Sequence, residues 1–122
     1  MDDFTYLRLY SDESGESHFE EVSLALELTD FAPPAAPAHL AAIGQVSSMA
    51  IVAGDESWAG EEPHPAPARQ YIVSLRGTVE VTGSSGETRR IGPGEVLLLE
   101  DTTGKGHSTR AIGEIRFLII RA

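Results

Sequence analysis

The chain has 122 residues, no cysteine and a formal net charge of -10. One core fits this length, and a domain of this size buries roughly two-thirds of the surface its unfolded chain would expose. Without thiols there is no disulfide framework, thiolate metal site or cysteine nucleophile, and the acidic balance opposes binding to nucleic-acid phosphates, which needs a basic footprint. No apolar run approaches the roughly 18 residues of a membrane span, and the acidic start Met1-Asp-Asp-Phe is unlike a secretory signal, so a cytoplasmic location with no membrane partner is expected.

Phe4 to Tyr10 reads as a strand, closed by the turn formers Ser11-Asp-Glu-Ser-Gly15. Between His18 and Leu28, Val22, Leu24, Leu26 and Leu28 recur at every second position, the period of a strand with one buried face. Residues 1 to 30 carry nine acids against one base, Arg8, which predicts an acidic outer face. Pro33, Pro34 and Pro37 remove backbone donors and exclude a helix interior or a central strand, leaving an arm or connector from Thr29 to His39. Val46 to Ala53 is a further apolar strand, with Met49 and Ile51 expected in the core. A loop over Glu56 to Pro67 then carries Trp58, Glu61, Glu62 and His64.

The second half is a series of short segments, Arg69–Leu75, Thr78–Thr82, Glu87–Ile91, Glu95–Glu100, His107–Ile112 and Glu114–Arg121, separated by glycine- and proline-bearing turns. Many short strands at even spacing, with no capped helical period, predict an all-β fold, a small antiparallel β-barrel or jelly roll. No nucleophile elbow, Walker loop or dinucleotide fingerprint is present.

Two histidines sit in stretches with a recognisable spacing. His64, Ala66, Gln70 and Gly77 occupy positions one, three, seven and fourteen of a first motif. Gly94, the strand Glu95 to Leu99 and Gly104-Lys105-Gly106-His107 form a second. This layout resembles the cupin superfamily, in its small single-domain branch. In that pattern Ala66 stands at a His position, Gln70 at a Glu position, Glu100 at a Pro and Ala111 at an Asn, and the Glu100 to Gly104 segment is two residues longer. The resemblance implies one domain over 1–122, with N-terminal strands and a Pro-rich arm in 1–40 and the barrel in 41–122. It also implies a homodimer, and a pocket at the barrel mouth for a small organic ligand.

Position parity places residues 64, 66, 70, 72 and 74 on one face of an extended segment, and by resemblance that face points inward. His64 and His107 are therefore the candidate catalytic residues. Gln70, Trp58 and Lys105 are candidate ligand-pocket residues, Trp58 as an apolar wall or ordinary core packing, Lys105 as an anion clamp, a Schiff-base amine or a solvated loop lysine. Arg69, Arg89 and Arg90 are read as outward-facing. The metal set by resemblance is His64, Gln70 and His107, two imidazoles and a neutral amide, which is weak for Zn, Mn, Fe or Ni unless water or Glu61, Glu62, Glu100 or Asp101 completes it.

The favoured reading is a small-molecule-binding pocket without a tightly held metal, serving either acid-base catalysis of the isomerase or lyase type or plain ligand binding. The alternatives are a divalent-metal isomerase, lyase or oxygenase, and a non-enzymatic sensor or accessory protein that only holds a ligand.

Overall fold

The computed structural model describes residues 2–58 and 62–122. It is all-β: β1 (Phe4–Ser11), β2 (Ser17–Leu24), β3 (Glu27–Thr29), β4 (Ala38–Leu40), β5 (Ser48–Gly54), β6 (Gln70–Gly83), β7 (Thr88–Ile91), β8 (Val96–Leu99) and β9 (His107–Arg121). Seven strands form one mixed sheet in the order β2-β1-β8-β6-β9-β5, with β7 also on β6, while β3 and β4 make a separate two-stranded hairpin. The pairing of β1 with β8 is parallel and the other pairings are antiparallel. This is a curled jelly-roll-type barrel, as the strand rhythm predicts.

Its interior holds Leu9, Val79, Val81, Ile91, Leu97, Leu99, Ile115 and Phe117. Tyr6, Tyr71, Val96 and Leu98 form a second cluster. Val96 and Leu98 belong to one cluster and Leu97 and Leu99 to the other, so β8 is buried on both faces and reads as an unbroken apolar run.

Two long strands replace four expected short ones. Gly77 and Gly113, which read as separators, lie inside β6 and β9, and the pairing of these strands slips in register between Ser74 and Thr78. Gly77 has φ +76°, and a Cβ there would overlap the Glu114 carbonyl, so the bulge takes glycine for both reasons. The slip also changes parity. Before it Gln70, Ile72 and Ser74 share a face; after it Val79 and Val81 are the buried residues.

Several expectations are corrected. Met49 and Ile51 are not core: they are 68% and 66% exposed, because β5 ends the sheet order and turns its odd face outward. The alternating face of β2 stops short of Leu28, which is exposed on the β3–β4 hairpin. The Pro-rich arm does contribute a short strand, β4, at its far end.

Candidate functional site

His64 reaches the barrel by a route other than strand parity. β6 begins only at Gln70, and His64 instead forms an isolated bridge with His107, in which each backbone N–H donates to the other's carbonyl at 3.0 Å. Ala66 N–H donates to the Asp101 carbonyl at 3.0 Å and ties the same segment to the loop before β9. The two imidazole rings lie 5.3 Å apart between centroids, inclined at 45°.

Both rings line one cavity of about 240 Å³ whose walls include Trp58, Ile72, Leu99, Ile115 and Phe117. Gln70 and Thr109 add polar atoms, and none of its described lining residues is Asp, Glu, Lys or Arg. Along β9 the lining residues His107, Thr109, Ile115, Phe117 and Ile119 are all odd-numbered, one face of the strand.

The tautomers follow from the partners. His107 Nδ1 is 2.5 Å from Asp101 Oδ2, in a pair that is almost wholly buried. A carboxylate accepts there, so in the neutral ring Nδ1 carries the hydrogen and Nε2 keeps its lone pair. His64 Nδ1 lies 2.9 Å from the Glu62 carbonyl, an obligate acceptor, which places the hydrogen of the neutral ring on Nδ1 as well. The cavity is therefore flanked by two imidazoles whose Nε2 atoms are hydrogen-bond acceptors or bases. Asp101 Oδ1 is buried with no hydrogen-bond partner, so His107 is the group that compensates this carboxylate.

The other expected site residues divide. Trp58 and Gln70 line the cavity with the histidines, although Gln70 Oε1 accepts from Arg121 Nε at 3.3 Å. Lys105 does not line it: its ammonium pairs with Glu16 at the β1–β2 turn. Glu61 lies outside the described residues. Glu62 meets the site through its backbone carbonyl. Glu100 is held by Arg8 and by Arg69, while Arg89 and Arg90 pair with Glu87 and Glu80. Asp101, weighed in the sequence only as an extra ligand, is instead the orienting partner of His107.

A divalent ion fits this set poorly. Ala66 brings no donor, the Gln70 oxygen already accepts from a guanidinium, and Asp101 is committed to the Nδ1 side of His107. Among the described residues no three His, Asp or Glu side chains converge as a metal-holding group.

Glu100 gives the fold a pH dependence. Burial raises its carboxyl, but hydrogen bonds from Arg69 and Arg8 outweigh that and leave it below the ordinary 4.5. A folded-state value below the unfolded one contributes stability that is complete above the ordinary value and is lost as pH falls through the depressed one. The urea midpoint is expected to drop as pH is taken below 4.5. Glu100→Gln should make that fall shallower without abolishing it, because Asp12, Glu16, Asp55 and Glu80 are lowered too. An unchanged acid limb in the variant would refute the role of Glu100.

Among the described residues no helix is long and apolar enough to cross a membrane. The sequence matches no protein-family model and no curated protein. Among solved structures it is similar to a crystal structure described as ethanolamine utilization protein Q from Salmonella typhimurium, at 19% identity and a TM-score of 0.49, over 99% of this chain and 97% of that one.

Proposed function

We propose that the chain is a small cupin-like protein that binds a small organic molecule in the barrel cavity and acts on it by acid-base chemistry without a resident metal. The observation that carries this reading is the buried Asp101–His107 pair with the His64 ring beside it, in one apolar-walled cavity. Nε2 of His107 takes a proton from the bound molecule, and the Asp101 carboxylate stabilises the imidazolium that forms. Nε2 of His64, once protonated from solvent, returns a proton to another atom of the same molecule. His107 then releases its proton to solvent, so the sum is an isomerisation with no change of oxidation state; loss of a leaving group in place of the second protonation gives an elimination.

The test is the double variant His64→Ala, His107→Ala. It should lose turnover of any substrate found and lose ligand that copurifies with the wild type. Retained turnover would overturn the acid-base roles. Near-stoichiometric Zn, Mn, Fe or Ni in protein purified without chelator, absent from the double variant, would overturn the metal-free reading in favour of a divalent-metal enzyme. A ligand held and released unchanged in a broad substrate screen would point to a sensor.

The chain is also proposed to form a homodimer. Among the described residues β5 has a free edge and exposes Met49 and Ile51, with Leu75 also exposed, a combination that exposed sheet edges rarely leave uncovered. Light scattering should give twice the chain mass for the wild type and the chain mass for Ile51→Glu. A monomeric wild type would contradict the proposal.

A further inference from the structure

We infer that the ligand class is a neutral, apolar-bodied molecule of about one ring that presents a hydroxyl hydrogen to the two imidazoles, a simple phenol being the type. This rests on the reading of the cavity as the binding site.

Three features select that class. The first is size: an apolar cavity of roughly 150 Å³ accommodates benzene, so the 240 Å³ here takes a single ring with one or two small substituents. That is below the roughly 300–1,000 Å³ typical of pockets for drug-sized molecules. The second is charge. No described lining residue is Lys or Arg; Lys105 pairs with Glu16, Arg69 with Glu100, Arg110 with Glu80 and Arg116 with Glu114, and Arg121 lies behind Gln70, donating to its amide oxygen, and does not line the cavity. A carboxylate or phosphate would give up its hydration without gaining a fixed counter-ion.

The third is hydrogen-bond polarity. Both Nδ1 hydrogens are already donated, one to Asp101 and one to the Glu62 carbonyl, which leaves two Nε2 acceptors 5.3 Å apart by ring centroid. Acceptors call for a ligand donor, and an O–H between them can bond either ring. A molecule with only acceptors leaves both Nε2 atoms unpaired on binding. The aromatic walls Trp58 and Phe117 add faces on which a ring can pack.

Trp58 is the chain's one tryptophan and lines the cavity, so its emission is a built-in reporter. Phenol, toluene and benzoate are near-isosteric probes that differ in donor and charge. They are titrated by calorimetry and by Trp58 emission excited at the red edge of the indole band, where the probes do not absorb. Phenol is expected to bind about tenfold more tightly than toluene, the worth of one net hydrogen bond, and more tightly still than benzoate.

His64→Leu, a change at an exposed residue, should reduce the preference for phenol over toluene without abolishing it, because Nε2 of His107 remains, while toluene binding persists. Val52→Phe, which fills the rim of the cavity, should weaken both. Equal affinities for phenol and toluene in the wild type, with both lost in Val52→Phe, would overturn the hydroxyl class and leave the cavity reading standing. Tightest binding by benzoate would overturn neutrality. No binding by any probe, or binding indifferent to Val52→Phe, would overturn the cavity reading and this inference with it.

Discussion

Replacing His107 by alanine is expected to destabilise the fold by about 3 kcal/mol, the cost of leaving a buried carboxylate without its hydrogen-bond donor. Asp101 is fully buried, its Oδ2 meets His107 Nδ1, and its Oδ1 has no hydrogen-bond partner. Removing the imidazole strands a carboxylate that must either protonate or draw water into the barrel mouth. Adding Asp101→Leu to His107→Ala should restore most of the loss, since apolar groups can replace a buried pair at little cost. Urea unfolding of the single and double variants measures this directly. A single variant within about 1 kcal/mol of the wild type, the range of ordinary surface substitutions, would show that Asp101 does not depend on His107.

Gly106→Ala is expected to be at least as damaging, and to separate the two histidines. Gly106 has φ +73°, and a Cβ there would overlap the carbonyl group of His64. The left-handed backbone alone costs a side chain about 1–2 kcal/mol. The steric clash would add the loss of the paired His64–His107 backbone hydrogen bonds, each worth about 1 kcal/mol. The expected total is about 3–4 kcal/mol, with ligand binding weakened beyond the stability loss. Gly94→Ala is the matching control: it has φ +85° with open space around the added carbon, so it carries the backbone term alone. Equal destabilisation by the two substitutions would mean that close approach to His64 contributes nothing.

The strand rhythm, with its Gly and Pro turns, was enough to predict the all-β barrel. The spacing of His64, Gln70 and His107 picked out residues that the structure brings to one cavity. Strand parity puts His64 in the right neighbourhood for the wrong reason. The segment before Gln70 is not extended strand, and His64 is placed by main-chain bonds to His107 that no local pattern encodes. Gly77 and Gly113 look like turns in sequence because a bulge and a turn both demand a positive φ; only the partner strand distinguishes them.

Met49 and Ile51 show the limit of hydrophobicity as a guide, since an edge strand can turn an apolar face outward. Lys105 and Glu100 were drawn away by partners about ninety residues distant, Glu16 and Arg8, and such pairings are tertiary. Asp101 left one usable signal: an acid after an apolar strand, at the foot of a Gly-bearing loop that leads straight to a histidine. That arrangement returns the loop's end to its start and lets the two side chains meet.

In the proposed site His64 and His107 act together, each neutral ring offering its Nε2 to the same cavity. Long-range nitrogen–proton correlation NMR on uniformly labelled protein, at a pH where both rings are neutral, reads this directly. Both rings should show the Nδ1–H tautomer, and both Nε2 signals should move together as phenol is added. An Nε2–H tautomer in either ring, or a phenol response confined to one ring, would contradict the account.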